Sequence, residues 1–160
     1  MSFEIRPGEE ALPFDPAETA DGPRVVFIGR IRSPWAPGDA PRNIRRAREA
    51  GGDFRLELAA PYRPGLTGLE VGQYINVLYW MDRGRRDLIV QAPRHVEAPR
   101  GTFALRSPVR PNPVALATVR ITAMDIDAGR VGIDAIDCYD NTPLLDIKPW
   151  IATIDAPPDT

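Results

Sequence analysis

Cysteine, histidine and lysine occur once each in these 160 residues, as Cys138, His95 and Lys148. A lone cysteine cannot build a disulfide framework. One histidine, with no Cys/His cluster of metal-ligand spacing around it, gives a metal site poor support, so no metal is expected. No apolar run approaches the roughly 18 residues that a membrane-spanning helix needs. The opening MSFEIRPGEE is acidic rather than signal-like, so the expectation is a cytoplasmic chain without a membrane anchor. No Gly-x-Gly-x-x-Gly follows a strand-like run and no βαβ alternation supports one, which excludes a Rossmann nucleotide site. Internal repeats and long amphipathic helices are missing as well.

What is present is ordinary for one globular domain with a real core: 43% hydrophobic and 26% charged residues. The net charge of −2 is unevenly spread. Residues 1–23 hold six acids against one arginine, leaving the remainder with nineteen bases against sixteen acids. Nineteen of the twenty basic residues are arginine, clustered at Arg42, Arg45, Arg46 and Arg48 and again at Arg83, Arg85 and Arg86. Such clusters are either solvated faces or phosphate contacts.

The period of the apolar residues predicts strands. RVVFIGRIRSP reads as a strand ending at Ser33-Pro34, FRLEL (54–58) as a half-buried strand, and YINVLYWM (74–81) as a central one. DLIVQ and TFAL read as two further short strands, and LLDIKPWI as the last. ATVRITAMDI and RVGIDAIDC alternate with period two and are joined by DAG, a hairpin signal. NIRRAREA allows one or two helical turns. The sum is a mostly β, small single-domain barrel of about seven short strands with few short helices. Residues 1–23, with four prolines and no clean period, are expected to form an acidic, proline-rich arm ahead of a barrel domain over 24–160.

LRSPVRPNPVAL (105–116) carries the most unusual chemistry. Pro108, Pro111 and Pro113 forbid a helix or a central strand, while apolar residues flank the segment on both sides. That pattern describes a rigid loop displaying Arg106, Ser107, Arg110 and Asn112. Either it binds something or it is a structural elbow with solvated arginines.

Five segments, IGRIRSP (28–34), APR (40–42), GLE (68–70), GTFALRSPVRPNPVAL (101–116) and NTPLLDIKPW (141–150), resemble the TsaA/TrmO-like tRNA methyltransferases. The resemblance covers roughly residues 25–155. It implies a β-barrel outside the Rossmann class, S-adenosylmethionine as methyl donor with S-adenosylhomocysteine as product, and N6 of threonylcarbamoyl-adenosine beside the tRNA anticodon as acceptor. A homodimer with cofactor sites near the subunit interface is also implied. Carried over position by position, the cofactor contacts are Pro41, Arg42, Asn43, Asp82, Arg83, Arg106, Leu116, Asp140, Asn141, Thr142 and Pro143. The chain departs from the family at Gln73-Tyr74, where a Ser-His pair is usual, and at Asp82, where a histidine is usual. Ala115 and Asn141 each replace a glycine. Asparagine tolerates φ > 0 better than most residues.

Methyl transfer is an in-line displacement that needs alignment, exclusion of water and placed charge. A carboxylate close to adenine N6 could accept its proton, and Asp140 is the candidate. Arg106 suits a carboxylate or a phosphate, and Arg110 the other of the two. Arg45, Arg46 and Arg48 with Arg110 are the candidate contacts to tRNA. Two alternatives stay open: a methyltransferase of the same fold acting on a small molecule, and a non-catalytic S-adenosylmethionine-binding module.

Overall fold

The structure, a computed structural model, describes residues 4–159, so the first three residues of the expected arm lie outside it. Nine strands and two short helices follow in chain order. They are β1 (Glu10–Ala11), β2 (Gly29–Arg32), α1 (Ile44–Ala50), β3 (Arg55–Leu58), β4 (Tyr74–Trp80), β5 (Leu88–Gln91), β6 (Arg100–Gly101), β7 (Val114–Asp125), β8 (Arg130–Ile133), β9 (Thr142–Pro149) and α2 (Ala152–Asp155). The fold is mostly β, as the alternation predicts. Six strands close a barrel in the order β2-β3-β8-β7-β4-β9, and β1-β5-β6 form a separate three-stranded sheet.

Contacts divide the described residues into two compact units. One holds the chain up to Arg24 together with Met81–Ala115; the other holds Val25–Trp80 and the chain from Leu116 onward. In the first unit, Glu10 and Ala11 pair with Val90 and Leu88, so the N-terminal segment contributes an edge strand. TFAL, read from sequence as a strand, is instead a 3-10 turn over Thr102–Ala104 preceded by β6. The reason is a buried polar knot. Gln91 Nε2 donates to Thr102 Oγ1 (2.8 Å) and to the Val109 carbonyl (2.7 Å), and the Thr102 hydroxyl donates to the Leu88 carbonyl (2.8 Å). Satisfying these groups inside the unit outweighs local strand propensity.

In the second unit the period-two pattern becomes a core. Ile31, Leu56, Leu58, Ile75, Val77, Tyr79, Val119, Ile121, Val131, Ile133 and Leu144 alternate inward along six strands and are all buried. Each such side chain contributes about 1.5–3 kcal/mol relative to exposure. The first strand is shorter than RVVFIGRIRSP suggests. Val25, Val26 and Phe27 stay 49–57% exposed, and pairing begins at Gly29. Gly29 is there because β2 and β3 approach closely: a Cβ at this position would be driven into the Glu57 carbonyl.

That contact is backbone, which cannot swing aside. We expect Gly29→Ala to cost at least about 2 kcal/mol, read as a fall in thermal midpoint of roughly 5 °C by circular dichroism. An unchanged midpoint would show that the two strands can part.

Candidate functional site

The expected site residues fall on both units, and each group is described by itself. In the barrel unit, Asp140, Asn141, Thr142 and Pro143 lead into β9. Thr142 pairs with Ile31 and Pro143 with Arg30 of β2. Asn141 is the one non-glycine among the described residues with positive φ, at 68°. The conformation is the one in which asparagine substitutes for glycine at least cost, as its identity predicts. Its backbone N–H donates to the Ile31 carbonyl (2.9 Å), and its Oδ1 accepts from Arg30 Nη1 (3.3 Å). Thr142 is buried, its hydroxyl donating to the Tyr139 carbonyl at 2.7 Å.

Asp140 is forked by Arg32, with Nε to Oδ1 at 2.7 Å and Nη2 to Oδ2 at 3.1 Å, and Oδ1 also accepts the Ser33 N–H (3.1 Å). Burial works to raise its carboxyl. The Arg32 and Ser33 hydrogen bonds outweigh that and hold it below the usual carboxylate range. A carboxylate so held is a weaker proton acceptor and a better fixed negative charge. The neighbouring loop is equally pinned: Ser33 Oγ donates to the Cys138 carbonyl (2.7 Å) and Trp35 Nε1 to the Ile136 carbonyl (2.8 Å). Trp35 is therefore structural. Cys138 is 1% exposed, and burial pushes its thiol up to about 12, far from a nucleophile's range.

The segment Pro41, Arg42, Asn43 enters α1. Asn43 is the N-cap, its side-chain oxygen accepting the Arg46 N–H at 3.0 Å. Arg42 is exposed, without a side-chain partner among the described residues. The helix arginines are mostly answered by acids. Arg45 and Arg46 share Glu49 at 3.2 and 3.6 Å, and Arg48 meets Asp134 at 2.8 Å. Leu116, on β7, is 46% exposed.

In the other unit, Asp82 and Arg83 occupy the turn after β4, and Arg106 opens the proline loop; all three are exposed. The loop itself is rigid for a reason that its sequence states in part: its prolines supply carbonyls but no N–H groups. Side chains answer those carbonyls. Arg86 Nε donates to Pro111 O (2.6 Å), and Gln91 to Val109 O. Arg110 Nη1 donates to Leu105 O (2.9 Å) and Ser107 O (3.0 Å). Arg110, expected at the substrate, is thus also a brace of the loop. Two residues escaped the sequence reading. Arg30 and Arg32 flank buried Ile31 in GRIR, and that alternation was the available sign that both face outward beside residues 140–143.

Among the described residues no group of three or more His, Cys, Asp or Glu side chains could hold a metal ion, and no helix is long and apolar enough to cross a membrane. What the fold and its loops define is a small β-barrel outside the Rossmann class with an ion-paired Asp-Asn-Thr-Pro segment, in a chain whose other unit carries a proline-braced loop. The chain belongs to the tRNA-methyltransferase O N-terminal domain family, whose model matches residues 30–156. It is 36% identical over 126 residues to a probable S-adenosyl-L-methionine-binding protein, VirR, of Rhizobium radiobacter, covering 78% of this chain and 69% of that one. It is 35% identical over 129 residues to an S-adenosyl-L-methionine-binding protein of Archaeoglobus fulgidus, covering 80% and 89%. Among solved structures, a crystal structure of TrmO matches with TM-score 0.66 and 30% identity, and TrmO from Pseudomonas aeruginosa with 0.64 and 31%. This chain spans 62% and 60% of the length of those two chains, which in turn cover 87% of it.

Two outcomes test the local geometry. Asn141→Gly should leave stability unchanged, whereas Asn141→Ala should cost about 1–2 kcal/mol in urea unfolding, since only the latter strains at positive φ. The Arg32–Asp140 pair contributes stability above about pH 4, the unfolded carboxyl's range. It is lost as pH falls through the lower folded value. Asp140→Asn should flatten that acid limb of a stability-versus-pH curve, and an unaltered limb would show the pair to be irrelevant to folding.

Proposed function

We propose that this chain is an S-adenosylmethionine-dependent methyltransferase acting on N6 of threonylcarbamoyl-adenosine next to the anticodon of tRNA. The observation that carries this reading is the family match over residues 30–156, which takes in all but the first residue of the barrel strands and both unusual loop motifs. The relatives named for binding S-adenosyl-L-methionine support the donor. A tRNA substrate carries with it a cytoplasmic location.

Each unit by itself offers groups that suit such a cofactor. Its carboxylate calls for a guanidinium, and its ammonium and ribose hydroxyls for carboxylate or carbonyl oxygens. Arg42 and Asp82 are both exposed without side-chain partners among the described residues, and Arg106 is exposed on a braced loop. When bound, S-adenosylmethionine supplies an electrophilic methyl carbon on a sulfonium. The protein's part is to hold and align. Pro41, Arg42 and Asn43 at the start of α1 and Asn141, Thr142 and Pro143 at the start of β9 are rigid backbone that positions the donor, together with Asp82, Arg83 and Leu116. Arg106 binds its carboxylate. Asp140 stays ionised beside Arg32, and of its two expected roles the geometry favours fixed charge and positioning over accepting the N6 proton. A homodimer belongs to the same reading. On the barrel unit Tyr74, Leu116, Ile151 and Ile154 are 41–74% exposed, apolar surface that a second copy would cover.

A non-catalytic binding module is the second reading, favoured by the relatives' names, which state binding and no reaction. Incubating the protein with S-adenosylmethionine and tRNA carrying threonylcarbamoyl-adenosine separates the two. Mass analysis of the nucleosides should show one added methyl group on that nucleoside. Cofactor binding by calorimetry with no methylated nucleoside would overturn the tRNA reading and leave the binding module or a small-molecule acceptor. Arg106→Ala should weaken cofactor affinity on the order of tenfold, the cost of one charge-assisted hydrogen bond.

A further inference from the structure

The outer side of the barrel at β2, β3 and the β7–β8 hairpin carries a cleft of about 470 Å³. Three guanidiniums line it, those of Arg30, Arg63 and Arg130, against a single carboxylate, Glu57. That carboxylate is already shared: Glu57 Oε2 accepts from Arg30 Nε at 3.1 Å, and Oε1 from Arg55 Nε at 3.0 Å. Burial works to raise it, but the two arginines hold it ionised below the usual carboxylate range. Arg63 is held by carbonyls instead, Nε to Leu58 O at 3.2 Å and Nη1 to Asp127 O at 2.8 Å. Carbonyls fix its direction without cancelling its charge. It lies over Gly129, where any Cβ would collide with it. Arg130 has no side-chain partner among the described residues. The hairpin acids Asp125 and Asp127 form no ion pair with either, and Asp125 is occupied by the Ala128 N–H at 3.0 Å.

The cleft therefore keeps more positive charge than its one carboxylate answers, whereas at α1 three arginines meet two acids, Arg45 and Arg46 sharing Glu49 and Arg48 meeting Asp134. It also adjoins the candidate site, because Arg30 reaches Asn141 Oδ1. A cation held by backbone carbonyls and a second one without a side-chain partner suit an anionic oxygen group. We propose that the Arg30–Arg63–Arg130 cleft binds a phosphodiester of the RNA substrate, holding its backbone beside the Asn141 end of the site. The inference rests on the tRNA reading above and names a different set of contacts from the helix arginines.

Binding of a labelled anticodon stem-loop RNA is measured against salt for the wild type, Arg130→Gln, Arg63→Gln, Arg130→Lys and, as a charge control on the other unit, the exposed Arg94→Gln. Thermal melts accompany each variant. Arg130 braces nothing, so its variants remain folded even if Arg63→Gln does not. Arg130→Gln is expected to weaken binding about tenfold at low salt and to reduce the salt slope by roughly 0.7–0.9. Arg130→Lys should recover most of the affinity, and Arg94→Gln should match the wild type. If the wild type binds RNA with a steep salt slope and folded Arg130→Gln behaves identically, the cleft inference is wrong while the tRNA reading survives. Inorganic pyrophosphate competing at the RNA's own concentration would make this a free-anion site and overturn it as well. A wild type that binds no RNA would sink both together.

Discussion

β9 runs between β2 and β4, and its hydrogen bonds to both are what close the barrel. Its first residues pair with Gly29–Ile31 and its last with Ile75–Leu78, with an irregularity between Leu78 and Tyr79 where the register shifts. Closure removes every free edge from the barrel strands, so a small all-β unit gains stability without disulfides. It also fixes function to structure. The TPLLDIKP motif is at once the closing strand and the continuation of the Asp-Asn segment, so Asn141 and Asp140 cannot move unless the barrel seam opens. Leu144 shows how tightly the two tasks are joined: it is fully buried, and its carbonyl receives the Ile28 N–H.

Arginine does nearly all the cationic work here, and the structure uses it in two ways. Arg32, Arg48 and Arg85 are set against carboxylates, which cancels charge and fixes a loop or a helix. Such half-exposed pairs add little stability individually, and their value lies in geometry. Arg63 and Arg110 are set against backbone carbonyls, which fixes position and leaves charge intact. The proline loop needs this second kind, because three of its twelve residues can donate no N–H to one another. Lysine, with a compact ammonium on a flexible stem, could not replace the planar fork by which Arg63 reaches two carbonyls from two nitrogens.

The barrel was legible because alternation is a local signal. FRLEL, YINVLYWM, the hairpin after residue 117 and LLDIKP all carry a buried face that their own spacing predicts, and the positive φ of Asn141 follows from its identity. The failures have a common physical cause in groups distant along the chain. TFAL became a 3-10 turn because Thr102 answers Gln91, eleven residues away. The early strand begins late because Val25–Phe27 find no partner strand in the barrel unit. At the candidate site, sequence could not reveal that Asp140 is claimed by Arg32, 108 residues earlier, or that Arg110 braces its own loop. Nor could it reveal which arginines retain their charge, because that depends on carboxylates brought in from elsewhere.

Three departures from the family pattern, at Gln73, Tyr74 and Asn141, sit where the barrel tolerates change. Tyr74 is 51% exposed at the start of β4, so replacing a smaller polar residue there alters the outer surface and leaves the alternating core of Ile75, Val77 and Tyr79 untouched. Gln73 ties the preceding turn through Oε1 to the Glu70 N–H (3.2 Å), and its carbonyl receives the Ile121 N–H (2.9 Å). The backbone role of that position is therefore kept whatever side chain it bears. Asn141 preserves the left-handed backbone that glycine would provide, and adds an oxygen that Arg30 uses. The substitutions thus change what the surface offers a partner rather than how the chain folds.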